Sequence, residues 1–155
     1  HSARDVDKRN TLRVETCRAN ELGFLGYADS DGKVLFYRSP TRKHTIFSDF
    51  DVQKYDNLPR VDIVYAYAGS DDMLIEAVRK NNSDGLIISG FGSGTLPPAM
   101  LEAAAQATKE GLPVVLASRS TAGRTVITPR ISKLDLLVAD NLHPQKARID
   151  RKSVV

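Results

Sequence analysis

From residue 61 onward the apolar residues fall into short unbroken runs, separated by segments in which they recur every three or four positions. Leu86–Ile88 and Val114–Ala117 are such runs, Val61–Ala68 is a β-rich run, each is predicted to be a strand, and Leu134–Ala139 predicts another. Apolarity sustained over so few residues fits a strand buried on both faces. Between the runs, Met73, Leu74, Ala77 and Val78 predict a helix, with Ser70 as its expected cap and Asp71 and Asp72 favourable in its first turn. Pro97-Pro98 predicts a second helix start, Leu101, Ala104, Ala105 and Thr108 its inward face, and Gly111 its end. Pro144 opens a last helix. Strands alternating with helices predict an α/β fold, a parallel sheet flanked by helices. Ligands of such sheets bind beyond the carboxyl ends of the strands. Gly69–Asp72, Gly90–Pro98 and Ser118–Arg124 are therefore the loops where chemistry is expected.

Residues 1–60 have a different texture. Leu12 and Val14 alternate with Arg13 and Glu15, which predicts a strand over Thr11–Thr16. Val34–Tyr37 predicts a second, and Asp29-Ser30-Asp31-Gly32 between them suits a hairpin turn. His44–Pro59 has no period and reads as a connecting segment, with Leu58-Pro59 at the boundary of the next strand.

Composition narrows the partners. The 155 residues are 41% hydrophobic and 26% charged, an ordinary globular balance. Formal net charge is +3, and the 22 basic residues divide evenly, eleven in 1–60 and eleven beyond. That distribution lacks the basic stripe of a nucleic-acid binder, so nucleic acid is not an expected partner. No apolar run approaches the roughly 20 residues that span a bilayer, so no membrane is expected either. HSARDVDKRN has no apolar core of a signal peptide. Cys17 is the single cysteine, which excludes an internal disulfide and a thiolate zinc cluster. It is expected to be a small buried residue.

Gly90-Phe91-Gly92-Ser93-Gly94-Thr95 follows a strand and precedes a helix, where glycines admit a ligand to the backbone or simply make a tight turn. It is not a dinucleotide fingerprint, because the third glycine comes one residue early, and no G-K-[ST] follows it. Arg119 and Arg124 can each hold a carboxylate through a bidentate contact, or simply face solvent. His1, His44 and His143 have no metal-ligand spacing, and His143 before Pro144 reads as a capping or surface residue. No cofactor is expected. Read alone, the charged segment Arg4–Thr11 is a solvated terminus. The final Ser153-Val154-Val155 formally suits a PDZ-type carboxylate groove, though a charged terminus of this kind is ordinarily disordered.

Several segments together resemble one family. SARDVDKRNT, GFLGYADSDGKVLFYRSPTRKHT, FDV…LPRVDIVYAYA, DGLIISGFGSGTLPPAMLEA, GLPVVLASR and NLHPQKARI are similar, in order and spacing, to bacterial-type L-asparaginases from Ser2 to Ile149. The resemblance implies residues 1–43 as the tail of an N-terminal domain, 44–60 as a linker, and 61–155 as the C-terminal α/β domain, Rossmann- or flavodoxin-like. It implies an amidohydrolase converting asparagine and water to aspartate and ammonia. The nucleophilic threonine of a TGGTI-like motif and a TDT-like motif belong to the N-terminal domain, and neither motif occurs in this sequence. Lys8 stands where an RDVTK-like segment supplies a lysine that works with a threonine and an aspartate. A lysine beside a hydroxyl and a carboxylate can lower a pKa or carry a proton.

Gly92, Ser93 and Thr95 fall in the GNGN-like loop that completes a neighbouring subunit's site, with Thr95 in place of the asparagine. Near Thr128 the family has a glutamate for the substrate amino group, and no acid stands there in ITPRISK. The resemblance further implies a homo-oligomer, a tetramer of intimate dimers, whose ligands are asparagine or aspartate. The chain on its own is then expected to be inactive. The alternative is a non-catalytic module that binds a small carboxylate or assembles with a complete subunit.

Overall fold

The computed structural model describes residues 1–48, 51, 53 and 56–150. The PDZ-type reading of Ser153–Val155 and part of the His44–Pro59 connection fall outside these residues. The chain divides into two compact units, His1–Asp56 and Asn57–Val155.

The first unit contains two antiparallel strand pairs. β1 (Val6–Lys8) pairs with β2 (Cys17–Ala19), and β3 (Gly26–Ala28) with β4 (Val34–Phe36). The expected turn at Asp29–Gly32 is present. The Gly32 amide donates to the Asp29 carbonyl at 3.1 Å, and Gly32 has a left-handed φ of 78° that suits glycine. The strand predicted over Thr11–Thr16 does not form. The Asn10 side-chain oxygen accepts from the amides of Leu12 and Arg13, both at 2.9 Å, and bends the chain there. Leu12 and Val14 are left 92% and 102% exposed, so their alternation marks no buried face. Cys17 is exposed rather than buried, because β2 belongs to a two-stranded ribbon with no apolar layer of its own. A short 3-10 turn, Thr45–Phe47, was not foreseen.

The second unit is the predicted α/β fold. β5 (Val61–Tyr65), β6 (Gly85–Gly90), β7 (Val114–Ser118) and β8 (Leu137–Val138) form one parallel sheet in the order β5-β6-β7-β8. α1 (Met73–Lys80) and α2 (Pro98–Lys109) lie on one face and α4 (Pro144–Ile149) on the other. Period-two alternation sorts the strand side chains between the layers: Leu86, Ile88, Val114 and Leu116 pack towards α1 and α2, and Ile87, Val115 and Ala117 towards α4. Burial of Leu86, Ile87 and Ile88 contributes about 1.5–3 kcal/mol each.

Three details depart from the sequence pattern. α1 buries Ile75 and packs Val78, while Met73 and Leu74 face outward. Ser70 does not cap that helix. Its hydroxyl accepts from the Tyr67 amide at 3.2 Å and lies 3.0 Å from the Met100 sulfur, and Asp72 holds the cap position. The strand expected over Leu134–Ala139 shortens to Leu137–Val138. The Leu134 amide is still bound to the Ile131 carbonyl after α3 (Pro129–Ser132), and Asp135 takes a φ of 54° that an extended strand cannot hold.

At the amino ends of the strands, Asp62 on β5 accepts from Ser83 Oγ and from Arg60 Nε at 3.1 Å. The Ser83 hydrogen bond foremost holds its carboxyl below the usual aspartate range; burial opposes it, and Arg60 and Arg148 add further lowering effects. On the same outer strand, Arg148 Nε donates to the Val61 carbonyl at 2.8 Å.

Candidate functional site

Two of the predicted site loops, Gly90–Pro98 and Ser118–Arg124, meet at the carboxyl ends of the strands. Register explains how: Gly90, the last residue of β6, stands opposite Ser118, the last of β7. Beyond that rung the chain folds back on itself. The Phe91 amide donates to the Thr95 carbonyl at 2.8 Å, and the Gly94 and Thr95 amides both reach the Phe91 carbonyl, at 2.9 and 2.8 Å. Two positions demand glycine. A Cβ on Gly90 would come within 2.7 Å of the Gly94 carbonyl carbon. Gly94 has a φ of 95°, and a Cβ there would meet Thr125 Cγ2 at 3.0 Å. Between them Gly92 and Ser93 are exposed, Gly94 and Leu96 are buried, and Thr95 is exposed. The loop thus hides its hinges and presents its tip.

The next strand end grips this loop. The Arg119 amide donates to the Gly90 carbonyl at 2.9 Å, and Ser118 Oγ donates to the Gly92 carbonyl. The same Ser118 oxygen accepts from the Ser120 amide at 2.9 Å. The Arg119 guanidinium lies 4.3 Å from the centre of the Phe91 ring, and its Nη1 donates to the Ala66 carbonyl at 3.3 Å. A cation over a ring at such a site contributes about 0.5–1 kcal/mol. Of the two loop arginines, Arg124 is committed to an ion pair with Asp140. Arg119 is committed to Phe91 and Ala66, which ties the ends of β5, β6 and β7 together. No sequence signal exposes this grip, because it depends on the register that sets Gly90 beside Ser118.

Lys8 is the last residue of β1, opposite Cys17, and is exposed in the first unit. Gly92, Ser93 and Thr95 belong to the second unit. Thr128 is a cap: its hydroxyl accepts from the Ile131 amide at 3.3 Å and starts α3. His143 occupies the cap position of α4, and its carbonyl accepts from the Ala147 amide at 2.8 Å.

Residues 60–151 match the family model described as the glutaminase/asparaginase C-terminal domain. This chain belongs to that family. Among curated glutaminase/asparaginase relatives, L-asparaginase 2 of Bacillus subtilis is 39% identical over 150 residues, 96% of this chain and 39% of that protein. L-asparaginase 2 of Escherichia coli is 38% identical over 148 residues, 94% and 42%. Glutaminase-asparaginase of Pseudomonas fluorescens is 32% identical over 151 residues, 96% and 41%. The crystal structure of a probable cytoplasmic L-asparaginase from Campylobacter jejuni superposes with a TM-score of 0.88 at 36% identity, covering 96% of this chain and 45% of that one. The parallel sheet with flanking helices is thus the glutaminase/asparaginase C-terminal fold. The chain spans about two fifths of the length of the curated relatives it matches.

Proposed function

We propose that the chain serves an L-asparaginase-type amidohydrolase, which converts asparagine and water to aspartate and ammonia. The observation that carries this reading is the closed Gly90–Thr95 loop at the carboxyl end of a parallel strand, in a chain of this family. In this reading residues 1–43 are the tail of the N-terminal domain, 44–60 the linker and 61–155 the C-terminal domain. Lys8 works with a hydroxyl and a carboxylate supplied by the N-terminal-domain motifs that this sequence does not contain. Gly92, Ser93 and Thr95 contact substrate, as the loop tip that a neighbouring subunit's site requires. Thr95 offers one hydroxyl donor and acceptor where an asparagine would offer an amide pair. Thr128 is neutral and engaged as a cap, so the substrate ammonium meets no carboxylate at that position.

Asparagine with the purified chain alone is expected to release no ammonia above a blank, measured in a coupled assay. Ammonia production at an appreciable rate by chain free of host enzyme would overturn the division of labour proposed here.

A second reading, an assembly module, draws on the first unit. Phe24, Tyr27, Leu35, Phe36 and Tyr37 are all at least 44% exposed within 14 residues. Apolar side chains gathered so densely are typical of surface that another protein covers. Self-association is expected in analytical ultracentrifugation, and a clean monomer at all loading concentrations would count against it.

A further inference from the structure

The loop tip is exposed and rich in glycine, yet a contact loop must hold its shape before the ligand arrives. We infer that Arg119 is a positioning residue that fixes the Gly92–Thr95 tip through Phe91. This inference rests on the reading of that tip as a substrate loop. Phe91 closes the loop with its backbone: its carbonyl takes the Gly94 and Thr95 amides, and its amide donates to Thr95. Phe91 is only partly buried, so its ring needs a second surface. Arg119 supplies it at 4.3 Å, and is itself held at both ends, by the Gly90 carbonyl on its amide and the Ala66 carbonyl on its Nη1. A guanidinium suits this task because its flat face stacks on the ring while an edge donor stays free for a carbonyl. A lysine at 119 keeps the charge and loses the plane. Ser118 adds the other half of the grip, on the Gly92 carbonyl. The consequence is that residue 119 governs the shape of the loop through Phe91.

The test is amide hydrogen exchange on the full chain, read residue by residue by NMR. In Arg119→Ala, exchange at Gly94 and Thr95 is expected to quicken about tenfold, while Leu86–Ile88 in the core of β6 stay at their original rates. Arg119→Lys is expected to restore little of the protection. Phe91→Leu should loosen the same two amides, and the double variant Phe91→Leu/Arg119→Ala should add nothing further, since both changes break one contact. Unchanged exchange at Gly94 and Thr95 in Arg119→Ala overturns the inference. So does a rise shared equally with Leu86–Ile88, which marks general loss of stability. The ammonia assay separates this outcome from the fate of the functional reading. Ammonia released by the purified chain alone counts against the reading of a shared site, whereas exchange alone decides whether Arg119 positions the loop.

Discussion

The two units have opposite means of holding their shape. Among the described residues, every buried apolar side chain lies at position 61 or beyond, in the second unit. The first unit is held by strand pairing and by polar contacts to the backbone. The buried Asp5 accepts from the Leu22 amide at 2.8 Å, and Arg38 Nε donates to the Phe24 carbonyl at 3.1 Å. A pair of short strands is marginal in water without an apolar face to cover. A four-stranded parallel sheet with helices on both faces has two such layers. The contrast teaches that apolar content and apolar burial are separate properties, since the described aromatic residues of the first unit, Phe24, Tyr27, Phe36, Tyr37 and Phe47, are all left exposed.

The contrast can be broken at three points. Ile88→Ala is expected to cost the second unit about 2–5 kcal/mol in urea unfolding, because Ile88 is fully buried in the middle of β6. A cost below 1 kcal/mol would mean that this layer is not close-packed. A smaller effect is expected at the Asp62 cluster. Its carboxyl is held below the ordinary aspartate value of about 3.9, so its contribution is present above that pH. That contribution is lost as pH falls through the lower, folded-state value. Asp62→Asn should therefore lower stability at neutral pH and flatten the decline between pH 4 and the acid limit, followed by thermal unfolding. An acid limb as steep as the original would assign it to other groups. The smallest effect is expected from Leu12→Ser, within about 0.5 kcal/mol, since that side chain is almost wholly in solvent. A larger loss would show that Leu12 is covered in solution.

The same contrast explains what could be read from the sequence. The runs Leu86–Ile88 and Val114–Ala117 were legible because burial on both faces forces unbroken apolar runs, and they lie within β6 and β7. The β-rich run Val61–Ala68 announced β5, which ends earlier, at Tyr65, and Pro98 and Gly111 punctuate α2 as their backbone chemistry requires. The candidate loop was legible for the same reason, as the glycine-rich piece between a strand and a helix. Thr11–Thr16 misled, because alternation signals a strand only where one face is covered, and there the Asn10 side chain offers the backbone a bend instead. The Arg119 grip was hidden, since it depends on which residues of separate strands stand side by side. Family membership came from motif order, and neither periodicity nor composition could have supplied it.

One further consequence follows from the outer strands of the sheet. β8 is only two residues long, too short to template another chain's backbone. β5 is longer, but Arg148 already engages the Val61 carbonyl and the Arg60–Asp62 ion pair sets charge along its start. Strand addition is therefore disfavoured at both ends of the sheet, a protection against fibrous growth.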